Sequence, residues 1–342
     1  MTKKENKKGN QVVRDMKECF RSFNLPVNQN KSIQDNPMNV AFTSQICNDH
    51  VCAFVAVTFD RPEGYVGIDA SSRLKVPSEK MAEISKLLNL LNGVSPIYGY
   101  SVCQYCNTVS LRSGLFLSGE VLSKDKFRRL IHDMLEDTYL CSPLIAEVVA
   151  GGNPEALYDR FMDDHKDLMS KESKLSEGAK SKILGDMESV MTGLKIPIKD
   201  DERLADGFVL DCMLPGMDFP LRMGITLDHA NEMVSLSMGP SFTVPDDKIS
   251  VMTELVNRIN RMSAPDHLFI NRQTKRVILL KAIMIDNCVL DKREFEKSIR
   301  TLLGSGRSYF TIINEQLSSN DSPGDLLKKI IGNYKDSHQE SK

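Results

Sequence analysis

Val76-Pro-Ser-Glu-Lys-Met-Ala-Glu-Ile-Ser-Lys-Leu-Leu-Asn-Leu-Leu-Asn92 returns, altered but in register, as Val244-Pro-Asp-Asp-Lys-Ile-Ser-Val-Met-Thr-Glu-Leu-Val-Asn-Arg-Ile-Asn260. The offset of 168 positions then holds without a gap far downstream. It pairs Ser95 with Ser263, Val109 with Val277, Leu111 with Leu279, Val121-Leu122 with Val289-Leu290, Lys124 with Lys292, Phe127 with Phe295 and Ile131 with Ile299. Upstream the offset becomes 171, matching Asp15-Met16 to Asp186-Met187 and Leu25-Pro26-Val27 to Ile196-Pro197-Ile198. Matches kept in one order over this length read as a tandem duplication of one unit of roughly 150 residues.

The repeated stretch itself reads as a helix. Met81, Ile84, Leu88 and Leu91 in the first copy, and Ile249, Met252, Val256 and Ile259 in the second, form a narrow apolar seam suited to helix–helix packing. Leu87 and Leu90 widen the stripe in the first copy beyond what one seam needs, which makes them candidate partner-binding residues. Ser78 and Asp246 suit the N-cap. Asn92 and Asn260 suit a left-handed stop.

Working outward, each unit opens with an amphipathic helix (Val12, Met16, Phe20 and Phe23; Ile183, Met187, Met191 and Leu194) that ends near Pro26 or Pro197. Three alternating segments follow, through Val40, Val55, Val57, Val66 and Ile68 in one copy and Phe208, Leu210, Met223, Ile225, Val234 and Leu236 in the other. Period-two alternation with short turns predicts an antiparallel meander with one buried face. After the Val-Pro helix come strands near 97–103 and 107–117, or 265–271 and 275–285. A helix near 123–137 or 291–303 follows, with Gly304-Ser-Gly306 read as its C-terminal stop. The fold class is α+β, with the order α-β-β-β-α-β-β-α and an antiparallel sheet, twice over. The divisions expected are a disordered tail over 1–10, a first unit over 11–150, a charged helical linker over 151–180, a second unit over 181–334 and a tail over 335–342.

That order, with its Val-Pro helix and the Asn-x-x-Asn at the helix end, resembles the YbjN-like family, most firmly over 76–135 and 244–303. The resemblance implies a fold similar to that of type III secretion chaperones, a role in binding polypeptides, and no catalysis. Two units in one chain depart from the usual pattern. The expectation is that they pack as an intramolecular pseudo-dimer in place of a homodimer.

Composition narrows the function classes. A net charge of −2 gives no electrostatic reason to expect nucleic acid. The chain has no run of eighteen apolar residues to span a membrane. The basic N-terminus carries no apolar core after it, so no signal peptide is expected. Eight cysteines without an export signal suit free thiols in a reducing cytoplasm. No phosphate-cradling loop and no metalloprotease or nucleophile–base spacing occurs, so the protein is expected not to be an enzyme and to carry no cofactor.

Two constellations still carry chemistry. Cys103-Gln-Tyr-Cys106 has a spacing that chelates zinc or forms a redox pair, and Cys47 and Cys52 can complete four ligands if the two turns meet. Against this, the second-copy counterparts are Asn271 and Thr274, and structural zinc is not expected. Met213 and Met217 flank Pro215-Gly216 in a turn, where exposed thioethers suit a peptide-binding surface. Arg112, Lys275, Arg276 and Lys281 suit an acidic partner, and a solvated sheet face explains them at least as well. The leading expectation is a protein-binding module, chaperone-like or a regulatory adaptor. The alternatives are a zinc or thiol-redox protein and a small-ligand regulatory domain.

Overall fold

A computed structural model describes residues 3–23, 28–29, 39–47, 52–60, 64–103, 106–117, 121–166, 175–196, 198, 203–214, 216–262 and 266–328; the side chains of 3–10, 28–29, 39–42, 44–47 and 52–53 lie outside that description. The first unit runs α1 (Lys3–Ser22), β1 (Asn28–Gln29), β2 (Asn39–Cys47), β3 (Cys52–Asp60), β4 (Tyr65–Lys75), α2 (Met81–Asn92), β5 (Gly99–Cys103), β6 (Thr108–Phe116), α3 (Lys124–Val149) and α4 (Pro154–Asp164). The second runs α5 (Glu177–Gly193), β7 (Arg203–Leu204), β8 (Gly207–Cys212), β9 (Leu221–Asp228), β10 (Met233–Pro240), α6 (Ile249–Met262), β11 (His267–Ile270), β12 (Val277–Met284) and α7 (Lys292–Ser318).

Each unit builds one six-stranded antiparallel sheet. The strand order is β1-β2-β3-β4-β6-β5 in the first and β7-β8-β9-β10-β12-β11 in the second, the same topology twice. The predicted alternation sets the buried face. Val55, Val57, Phe59, Val66, Ile68 and Ala70 turn into the first core, and Phe208, Leu210, Met223, Ile225, Val234, Leu236 and Met238 into the second. Burying each of these side chains, Ala70 apart, stabilises the fold by about 1.5–3 kcal/mol. The repeat extends to small details. Asn107 and Lys275 both take positive φ, at 55°, and their carbonyls accept from the amides of Val76 (2.7 Å) and Val244 (2.8 Å). Lys124 pairs with Asp15 at 3.2 Å, and its counterpart Lys292 pairs with Asp186 at 2.8 Å.

Several sequence expectations need correction. Helix α1 starts at Lys3, inside the stretch read as a disordered tail, where Lys and Glu are good helix formers. The charged linker is not a spacer throughout. Asn153 caps α4 by accepting from the amides of Glu155 and Ala156, and Leu157, Tyr158 and Phe161 pack on the first core. Helix α7 does not stop at Gly304-Ser-Gly306 but continues to Ser318. Gly306 serves close packing instead: a Cβ there would stand 2.7 Å from the Met238 sulfur beneath. Asn92 and Asn260 are the last residues of their apolar stripes but do not take positive φ; their amides are used elsewhere. Pro26, Pro197 and the turn at Asn48-Asp49 lie outside the described residues.

Candidate functional site

The two units meet along α2, α6, β5 and β11. The conserved Asn-x-x-Asn pattern explains how two sheet edges can be buried there. The second asparagine satisfies its own unit: Asn92 exchanges two hydrogen bonds with the Tyr100 backbone, at 3.1 and 2.6 Å, and Asn260 does the same with Leu268, at 2.8 and 2.7 Å. The first asparagine reaches across. Asn89 exchanges two bonds with the Ile270 backbone, at 2.9 and 2.7 Å, and its counterpart Asn257 accepts from the Val102 amide at 2.9 Å. Val102 and Ile270 are themselves counterparts at the offset of 168, so the contact is reciprocal. Unpaired strand edges are costly when buried, and these amides act as surrogate neighbouring strands.

The extra leucines of α2 follow from this arrangement. Leu87 is fully buried and Leu90 half-buried, in a helix that packs against α6, β11 and α4 as well as its own core. As a candidate for an external partner Leu87 is corrected, because its side chain is used within the first core, whereas Leu90 keeps part of its surface. Lys281 is likewise no solvated cation. It is buried beside Asp266 at 3.3 Å and lies 4.4 Å from the centre of the Phe116 ring, which belongs to the other unit. Arg112 donates to the Arg261 carbonyl across the same seam. Lys126 and Glu294, also counterparts, form a buried ion pair at 2.8 Å. Burial pushes the Glu294 carboxyl above its ordinary range, and the Lys126 ammonium pulls it back.

The methionine candidates separate. Met213 is 63% exposed, whereas Met217 is 7% exposed and belongs to the second core. The cysteine candidates fall into two pairs. Cys47 and Cys52 are register partners at the closed end of the β2–β3 hairpin, and Cys103 pairs in register with Thr108, two residues after Cys106. Cys103 is buried and Cys106 exposed, its thiol 3.0 Å from the Thr108 hydroxyl. Strands β6 and β4 lie between β5 and β3, so the backbones carrying the two pairs stand about 14 Å apart at a spacing of ~4.8 Å per strand.

A groove of about 780 Å3 opens on the first unit, where the end of β4 (Ser72, Arg73, Leu74) faces α3 (Tyr139, Leu140, Pro143, Leu144, Glu147) and the end of α4 (Arg160, Phe161, His165). Its apolar lining is rimmed by Tyr139, which is 45% exposed. A second trough, about 790 Å3, continues from the shared Ser72 and Arg73 to Lys75, Ser78 and Cys106. Sequence reading missed this groove because α3 runs twelve residues past its expected end, through Pro143, and because α4 was read as linker.

Close to the groove, Tyr98 and Tyr100 both turn their hydroxyls to Asp137. Burial pushes the Asp137 carboxyl up from 3.8 to about 6, and the Tyr98 hydrogen bond and the His165 charge oppose that shift. A carboxyl that holds its proton more tightly when folded contributes stability below its unfolded value and loses it as pH rises through the folded value. Wild type is therefore expected to lose on the order of 2 kcal/mol relative to Asp137→Asn between about pH 4 and pH 6. His267, held neutral down to about 4 by burial, works in the opposite sense, losing stability as pH falls from 6.5. It is present in both proteins, so the difference between their urea midpoints across this window isolates Asp137. Parallel pH profiles would show that Asp137 ionises as an ordinary carboxylate.

Among the described residues no helix is long and apolar enough to cross a membrane. No family model and no curated protein matches the chain. A chain in the crystal structure of the ExsC–ExsE complex is similar over 38% of this chain and 92% of its own length, with 16% identity and a TM-score of 0.29. At that score the likeness carries no argument about fold or function.

Proposed function

We propose that the chain is a non-enzymatic protein-binding module of the cytoplasm, chaperone-like or a regulatory adaptor, whose two units act as an intramolecular pseudo-dimer. The observation that carries this reading is the apolar groove between β4, α3 and α4, rimmed by exposed Tyr139. Concave apolar surface with a few polar groups at its rim is what polypeptide ligands bury. The reciprocal Asn89–Ile270 and Asn257–Val102 contacts support the pseudo-dimer. The resemblance to the YbjN-like family, over 76–135 and 244–303, points to the same class.

The test is site-specific photo-crosslinking in cell extract. Benzoylphenylalanine in place of Tyr139 is expected to give a discrete polypeptide adduct that the same group in place of Lys182, exposed on α5, does not give. An empty lane at position 139, or the same adducts from both positions, would remove the protein-binding reading.

A further inference from the structure

The second unit shows what belongs in the groove of the first. At the offset of 168, groove residues Leu74 and Tyr139 correspond to Phe242 and Arg307. Each counterpart touches the loop joining β8 to β9, Met213-Leu-Pro-Gly-Met-Asp-Phe-Pro220, although Arg307 stays exposed. Phe219 meets Phe242 edge to face, with ring centres 5.1 Å apart. The Arg307 guanidinium lies over Gly216, where a Cβ would stand 3.2 Å from it. Met217 is buried in the second core, and Leu214 packs against it. The first unit has only residues 48–51 between β2 and β3, half the length of that loop, and among the described residues its groove is open.

We infer that the groove of the first unit takes a short turn-forming segment of a partner polypeptide with the chemistry of the 213–220 loop. That segment carries an aliphatic side chain, a second apolar one three residues on, an acid, and then an aromatic. The acid is expected to face Arg73 and Lys75, two exposed cations of the adjoining rim. Leu74, Leu140, Pro143, Leu144 and Phe161 supply the apolar wall. The assignment rests on the protein-binding reading and names the occupant's chemistry. In the second unit the loop already stands at the counterparts of Leu74 and Tyr139, so one chain is expected to bind one segment.

The probe is the synthetic peptide Met-Leu-Pro-Gly-Met-Asp-Phe-Pro, blocked at both ends and labelled with a fluorophore, titrated with the full chain and followed by anisotropy. Saturable binding of one peptide per chain is expected. It should weaken at least tenfold in Tyr139→Asp, which sets a carboxylate in the groove against the peptide's own acid, and several-fold when the peptide's Asp is replaced by Lys. Tyr139 is a surface residue, so an unchanged thermal midpoint will show that the variant folds. Binding indifferent to Tyr139→Asp would place the site elsewhere and overturn the inference while leaving the protein-binding reading intact. No saturable binding would also overturn it, and the crosslink from position 139 then decides the broader reading separately. Self-association of the chain competed by the peptide would make a second copy the occupant and overturn it too.

Discussion

Glu294→Lys is expected to cost about 3–5 kcal/mol, because it leaves two ammonium groups buried where an ion pair stood. The Lys126–Glu294 pair is 2.8 Å long, with side chains only 10% and 7% exposed. Lys126→Glu should cost a similar amount, with two carboxylates facing each other. The double variant Lys126→Glu/Glu294→Lys is expected to recover more than half of either loss, so a double-mutant cycle should show coupling well above the ~0.5 kcal/mol of independent sites. Recovery will be incomplete because Lys281 and Lys297 also act on this corner of the seam from the second unit. Urea unfolding of the four proteins measures the cycle; additive losses would mean that the pair contributes nothing specific. The pair occupies self-equivalent positions in the repeat. In a homodimer of either unit the same position would face itself, as Lys against Lys or Glu against Glu. Unlike charges at such a position favour pairing between unlike units and oppose pairing between like ones.

How much of this was legible beforehand differs from feature to feature, for physical reasons. The duplication, the strands and the apolar stripes were readable because periodicity is local: Val55, Val57 and Val66 alternate whether or not a second unit exists. The Asn-x-x-Asn pattern was visible too, yet it read as a helix stop. Its actual work, lending side-chain amides to Tyr100, Leu268, Ile270 and Val102, depends on edge strands, and those of Ile270 and Val102 are far away in sequence. Lys281 read as solvated because it sits in an alternating strand. What buries it is Phe116, supplied by the other unit. Gly306 was misread as a terminator because the close approach of α7 to Met238 has no local signature. The groove escaped for a related reason: it is defined by a helix end, a strand end and an apparent linker, none of which is distinctive alone. Leu87 carried the right signal, excess apolar width, but local sequence could not say that its surplus was met within the same chain.

The second large effect is expected at Gly99. Its counterpart in the repeat is His267, and the two meet across the seam: a Cβ on Gly99 would overlap the His267 Cβ. That neighbour is the rigid root of a side chain, not a flexible tip, so the backbone of β5 or β11 would have to move. Gly99→Val should therefore cost about 3 kcal/mol, at the upper end of what overpacking does in a tight core. Removing the obstacle should remove most of the cost. In a His267→Gly background, Gly99→Val is expected to be nearly neutral, even though His267→Gly itself gives up a buried ring and its 3.3 Å contact with the Asn92 carbonyl. If Gly99→Val destabilises equally in both backgrounds, the contact across the seam is not what requires glycine. The swap Gly99→His/His267→Gly tests the same point with side-chain volume conserved, and it should be better tolerated than Gly99→His alone, which sets two imidazoles in one space. A large residue against none at one self-equivalent position, and a cation against an anion at another, are differences that a pair of identical units cannot have. Both fit a seam whose two halves have diverged to complement each other, and both become testable only because the halves share one chain.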